Sequence, residues 1–384
     1  MKTILPVGFH QFHPNKFYNY QLNRWHSEGF ARLEDLKKAA STIKTNDDYK
    51  NVFIALAKEA LAEDRLKNAA FYYRAAEFLT RPTDVDKISL YDQFINIFYQ
   101  AFSDDKIERN EVPYAGGFLR TMRLAPTGEK KGTVLIHGGF DSLIEEFYAI
   151  WRLFSEDGYE VIAFEGPGQG GTLRKHYLAF DHAWEKPTSA ILDYFDLLDV
   201  TILGISMGGY WCLRAAAFEK RIKRVIVFPP LYDWMESANG VSRTLVDWMM
   251  KWESLMRAGI RMKMRVPTME HVITHTLFIT QKDDLLEVVR WYLAMNKEFL
   301  HSELVDQDVL LLGGEKDAFQ PPSLYHKQWK ALTHARSITG RMFTEADQAA
   351  NHCGMGNLGL VVEVMLNWLN EKQTLTVQPN HITV

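Results

Sequence analysis

Cysteine is almost missing from this chain of 384 residues. Cys212 and Cys353 are the only two, which excludes a disulfide framework. Charge of one sign is missing as well: 44 Lys and Arg stand against 48 Asp and Glu, a net charge of −4. That balance gives no reason to expect nucleic acid or an anionic membrane as partner. No apolar run reaches transmembrane length. The start, Met1 to Pro6, is too short an apolar stretch for a signal peptide. The expectation is a soluble cytoplasmic protein. What the chain does have is apolar bulk, 47% of its residues. Its length exceeds a usual single core, so two domains or one domain with a large insertion are expected.

One stretch organises the rest. Val200 to Ile205 is an apolar, β-branched run suited to a buried strand, and Trp211 to Ala217 is helix-forming. Between them lies Gly-x-Ser-x-Gly, at Gly204, Ser206 and Gly208, followed by Gly209. A serine at a sharp strand-to-helix turn points its hydroxyl out of the sheet at a helix N-terminus, where backbone N–H groups favour a developing anion. The arrangement resembles the nucleophile elbow of the α/β-hydrolase superfamily.

Around it, the chain reads in four segments. Residues 1–112 are expected to be a helical N-terminal cap, with apolar residues at helical spacing in Arg32 to Thr42, Asn46 to Ala62, Leu66 to Leu79 and Ile88 to Phe102. Residues 113–230 alternate strand and helix, as expected for a mostly parallel sheet flanked by helices. Phe118 to Leu124 reads as an edge strand, and Thr133 to His137, Tyr159 to Phe164 and Arg224 to Phe228 as further strands. A helix is expected over Leu143 to Phe154. Residues 231–304 contain no convincing strand and are crowded with Trp and Met, so a helical lid insertion with an adaptable apolar wall is expected. Residues 305–384 resume the alternation, with strands at Asp308 to Leu312 and Arg341 to Glu345, a last helix over Leu358 to Leu369 and a loose tail.

Serine needs a base, and the base needs an acid that orients it. In an α/β-hydrolase core they follow the serine in the order acid, then His. Asp317 falls just after the seventh strand, and His352 just after the eighth. Glu315 and Asp347 are competing acids, and His326 and His334 fall on the intervening helix or its end. The oxyanion is expected to meet the N–H of Met207 and a second donor after His137-Gly138-Gly139, at Phe140 or Asp141. His137 is read as shaping that loop, and Cys353 as packing. Gly166-Pro167-Gly168-Gln169-Gly170-Gly171 fits G-x-G-x-x-G formally, but Pro167 and the lack of an immediate apolar helix argue for a tight turn beside the site. No metal or cofactor is expected.

Gly138-Gly139-Phe140-Asp141-Ser142 with Glu145-Glu146, then Glu165 to Gly170, Gly204 to Gly209 and His352, resembles one subgroup of the superfamily. So does Phe17 to Trp25. That subgroup holds the 2,6-dihydroxypseudooxynicotine hydrolase of nicotine breakdown and fungal hydrolases that shorten polyketide chains. The resemblance implies a helical N-terminal cap and hydrolysis of a carbon–carbon bond beside a ketone. It also implies an auxiliary acid at Asp141, its pKa raised by burial and by Glu145 or Glu146. From the residues themselves Asp141 reads equally as a helix cap. The expected substrate is a bulky, mostly apolar carbonyl compound cleaved through an acyl-enzyme. A carboxylesterase or acyltransferase on the same core stays open, as do a non-catalytic binding protein and a homodimer.

Overall fold

The computed structural model describes residues 3–140, 142–237 and 243–377. Five helices come first: α1 (Lys16–Ser27), α2 (Leu33–Ala40), α3 (Asn46–Ala62), α4 (Leu66–Leu79) and α5 (Asp86–Ala101). The first hairpin is β1 (Glu108–Tyr114) and β2 (Gly117–Leu124). Then follow β3 (Gly132–His137), α6 (Tyr148–Glu156), β4 (Tyr159–Phe164), α7 (Gly170–His176), α8 (Glu185–Tyr194), β5 (Val200–Ile205), α9 (Gly208–Phe218) and β6 (Ile222–Phe228). Helices α10 (Trp234–Ser237), α11 (Arg243–Met250), α12 (Glu253–Lys263), α13 (Pro267–Thr280), α14 (Leu285–Ala294) and α15 (Lys297–Leu300) fill the gap before β7 (Asp308–Gly314). The chain closes with α16 (Pro322–Ala331), β8 (Ser337–Phe343) and α17 (Leu358–Val377).

The eight strands form one sheet in the order β1-β2-β4-β3-β5-β6-β7-β8. β3 to β8 run parallel, while β2 pairs antiparallel with both β1 and β4. Both faces are covered, which is why the inner strands are apolar throughout. Val134, Ile136, Leu203, Ile205, Leu310 and Leu312 join the core shared with α1–α6 and α17. Their neighbours Leu135, Ile202, Val309 and Leu311 turn to the opposite core, shared with α8, α9 and α16.

Three expectations are corrected here. The strand at Phe118 to Leu124 is not an edge, because β1 covers it. The helix expected from Leu143 begins at Tyr148, after a turn. The last helix continues past Leu369 to Val377.

Salt bridges stitch the N-terminal helices to the sheet layer. Arg74 of α4, fully buried, donates to Glu146 at 2.8 Å and also pairs with Glu77. Glu77 takes Arg174 of α7 at 2.7 Å and Lys87 of α5 at 2.8 Å. Arg120 of β2 donates to Glu145 at 3.0 Å and to the Tyr91 hydroxyl at 2.6 Å. Charges this deep persist only when paired.

Candidate active site

The strand order reverses around β3 and β5, the place where open α/β sheets leave a crevice at their carboxyl ends. His137 stands opposite Gly204 in the β3–β5 register, so the loop after β3 lies beside the turn after β5. Ser206 sits in that turn with φ 59°, a left-handed conformation unusual for a side-chain-bearing residue. Its N–H donates to the Phe228 carbonyl at 2.6 Å, which holds the turn against β6. Glycine is required at the motif's flank: a Cβ on Gly208 would lie 2.7 Å from the Gly138 carbonyl oxygen.

Asp317 follows β7, and His352 follows β8. The Ser206 Oγ lies 2.8 Å from His352 Nε2, and His352 Nδ1 lies 2.7 Å from Asp317 Oδ2. The other Asp317 oxygen accepts the N–H groups of Phe319 and Gln320, each at 2.8 Å. The carboxylate is thereby fixed, and in the neutral imidazole it holds the hydrogen on Nδ1, leaving Nε2 to accept from Ser206. Burial disfavours the His352 imidazolium, but the Asp317 carboxylate outweighs it and holds the group well above the ordinary histidine range. Glu315 and Asp347 are turned elsewhere: Glu315 accepts the Glu345 N–H at 2.8 Å, and Asp347 accepts from Thr344 and Arg341.

Met207 opens α9. Gly139 approaches it so closely that a Cβ there would lie 2.8 Å from the Met207 nitrogen. The Phe140 ring packs against His275 of α13 and Trp291 of α14, at 5.3 and 5.8 Å between centroids. Asp141 lies outside the described residues. Glu145 and Glu146, expected as its neighbours, are engaged with Arg120 and Arg74. His137 is fully buried, donates through Nδ1 to the Gly138 carbonyl at 3.0 Å, and is pushed down to about 4 by burial. It closes β3, where it holds the start of the loop that follows. Cys353 is buried against Phe228.

Two contributors escaped the sequence reading. Gln169 accepts the Gly166 N–H at 3.0 Å, so its amide nitrogen faces the Gly138 and Gly139 carbonyls, at 3.0 and 2.6 Å. The glycine-rich turn is thus a brace for the loop after β3. A short helix, α7, does follow that turn directly, against expectation. Its first amides are taken by Glu165, at 2.7 Å from Gly171 N, so a carboxylate fills the place a phosphate would need. The second contributor is Tyr20 of α1, whose hydroxyl donates to the His352 carbonyl at 3.3 Å. Its ring and that of Phe319 flank the imidazole, at 6.0 and 5.1 Å. The signal for Tyr20 in the sequence was its place in Phe17 to Trp25, a stretch read for its resemblance and not for a contact with the site.

The roof over this crevice comes from two directions. His271 of α13 packs against Phe78 of α4 and Phe17 of α1, at 4.9 and 6.2 Å. Arg81 reaches Glu270 at 2.7 Å.

A parallel sheet with a strained serine at its central turn, backed in chain order by Asp and His, defines the hydrolase class built on this core. The chain belongs to the alpha/beta hydrolase family, whose model matches residues 133–356, more than half its length. It is similar to the hydrolyase poxO of Penicillium oxalicum, 29% identical over 287 residues that cover 63% of this chain and 68% of that protein. The hydrolase LUC6 of Fusarium sp. is 32% identical over 259 residues, covering 56% of this chain and 61% of its own. Among solved structures, the 2,6-dihydroxy-pseudo-oxynicotine hydrolase shares the fold over 91% of this chain and 95% of its own, with a TM-score of 0.64 and 21% identity. AbyA5 covers 88% of this chain and 90% of its own, with a TM-score of 0.66 and 18% identity.

Proposed function

We propose that the protein is a serine hydrolase that cleaves a carbon–carbon bond beside a ketone in a bulky, mostly apolar substrate. The observation that carries the reading is the hydrogen-bonded chain from Ser206 through His352 to Asp317, at 2.8 and 2.7 Å. Ser206 Oγ attacks the carbonyl carbon and gives its proton to His352 Nε2. The oxyanion forms against the Met207 N–H and the loop at Phe140. As the tetrahedral adduct collapses, the carbon–carbon bond breaks and its electron pair leaves as an enolate. The enolate takes the proton back from His352 and departs as a ketone. Water, deprotonated by His352, then attacks the acyl-enzyme and releases a carboxylic acid and free Ser206.

The rings of Phe140, His275, Trp291, Tyr20 and Phe319 around this centre favour a large apolar or aromatic substrate. The preference for a carbon leaving group rests on the motifs shared with the carbon–carbon hydrolase subgroup, one of whose members is named for 2,6-dihydroxy-pseudo-oxynicotine. An auxiliary acid at Asp141 remains part of the proposal. Carboxylester hydrolysis is the second reading, because the same Ser206–His352–Asp317 chain serves it unchanged, with His352 returning its proton to an alkoxide instead of an enolate. A panel of aryl β-diketones and matched esters, followed by intact-mass trapping of the acylated chain, tests both. Ser206→Ala should lower kcat by roughly four to six orders of magnitude with the fold intact. Trapping on another residue, or retained activity in that variant, refutes the nucleophile. Turnover of esters alone refutes the carbon–carbon reading.

A further inference from the structure

The insertion between β6 and β7 carries a helix with two apolar faces. On α12, Met256, Ile260 and Met264 recur at four-residue intervals and pack into a small cluster with Ile273, Leu286 and Val288. Leu255 and Met262, seven residues apart, project from another face and are 69% and 64% exposed. Trp252, just before the helix, and Trp248 of α11 are 58% and 54% exposed, with their rings 6.3 Å apart. Single exposed hydrophobics are ordinary, but large ones clustered on neighbouring turns mark an interaction surface.

Charge says what the surface fits. Residues 243–266 carry six Lys and Arg against two Asp and Glu, in a chain whose whole balance is 44 against 48. Arg257 is paired with Glu253 and Asp284. Lys251, Arg261, Lys263 and Arg265 are exposed and enter no ion pair among the described residues. The net charge of −4 conceals this local excess.

We propose that the α11–α12 face docks on a bilayer with anionic headgroups. The two tryptophans would sit at the headgroup level, Leu255 and Met262 just beneath it, and the four cations against lipid phosphates and carboxylates. The same insertion turns inward through α13, whose His275 lies against Phe140, so docking would bring the roof of the catalytic crevice to the lipid surface. The inference goes beyond the catalytic proposal and holds whichever bond Ser206 cleaves.

Co-sedimentation of the full chain with vesicles of phosphatidylcholine containing about one-third phosphatidylserine tests it. The chain should pellet with these vesicles, stay in solution with phosphatidylcholine alone, and be released by salt. Trp248→Ser/Trp252→Ser should cut partitioning by roughly tenfold or more, and Lys251→Glu/Lys263→Glu by a similar factor. Equal binding to neutral vesicles, no binding at all, or undiminished binding by both variants overturns the proposal. So does sedimentation equilibrium showing a dimer that the tryptophan variant dissociates, which would make a second copy the occupant.

Discussion

A single methyl group at Gly139 should disable the site without unfolding the protein. The Cβ of Gly139→Ala would lie 2.8 Å from the Met207 nitrogen and 3.1 Å from both the Ile205 carbonyl oxygen and Ser206 Cβ. All three atoms belong to the strained turn, and two are backbone, so no flexible side chain can swing away. The nearest approach is about 0.7 Å inside the ~3.5 Å at which such atoms rest. Either the loop after β3 or the turn bearing Ser206 must retreat by about that amount. The Met207 N–H and the donor at Phe140 would then no longer converge on one oxygen. Losing an oxyanion donor costs about 10²–10³ in rate, and a misplacement near 1 Å costs about 10². The expected result is a kcat lowered roughly 10²- to 10³-fold, KM changed little, and a stability loss of about 1–3 kcal/mol from overpacking. Steady-state hydrolysis of an activated ester measures the rate, and urea unfolding measures the stability. A fluorophosphonate should label Ser206 more slowly in proportion, because its phosphoryl oxygen needs the same donors. A folded variant with kcat within a few-fold of the parent refutes the placement of the oxyanion between Gly139 and Met207.

Asp317→Asn should lower kcat by about 10⁴ and move the low-pH limb of the rate profile to lower pH. His352 must be neutral to act, and Asp317 is the largest of the groups that raise its pKa, with Cys353 adding to it; an unmoved limb refutes Asp317 as a cause. Because His352 binds its proton more tightly in the native state, its contribution to stability is complete below about pH 6.5 and fades as pH rises through the raised value. Urea midpoints of parent and Asp317→Asn should therefore differ most at acidic to neutral pH. Gln169→Leu removes the amide that holds two loop carbonyls and should reduce kcat more than it raises KM, whereas a purely structural role would lower stability and leave kcat alone. Arg74→Met removes the one buried cation that Glu77 and Glu146 share, leaving Glu77 to Arg174 and Lys87 and Glu146 to Arg24, and should cost about 3 kcal/mol in urea unfolding. Adding Glu146→Gln should restore part of that loss.

The inner strands were legible because burial on both faces writes an unbroken apolar run into β3, β4, β5 and β7, whereas β1 was not. Its sequence, Glu108-Arg109-Asn110-Glu111-Val112-Pro113-Tyr114, buries only Val112 and is held by pairing with β2 at the sheet edge. Helix α1 was hidden for a different reason. Its polar side is buried too: Asn19 and Asn23 accept the Phe12 and His10 N–H groups of the N-terminal arm, at 2.7 and 2.6 Å. A helix buried all round by apolar and polar residues alike carries no amphipathic stripe to read.

The site shows the same division. Ser206, Asp317 and His352 could be named because this core fixes the order in which they reach one sheet edge. Gln169, Tyr20 and the buried ion pairs had no such guide. Arg74 meets Glu146 across 72 residues and Arg174 meets Glu77 across 97, separations at which no local spacing announces a pair. Their pairing is created by the fold and has a consequence for it. A buried arginine placed between two carboxylates tolerates neither a slide nor a separation of the layers it joins. The N-terminal helices share one continuous apolar core with α6, α17 and a face of the sheet. From that layer Tyr20 reaches the backbone of His352, and Ser27 accepts the Gly356 N–H at 2.9 Å. The helices that roof the crevice therefore also hold the loop that carries His352, so the placement of that imidazole depends on residues more than 300 positions away from it in the chain.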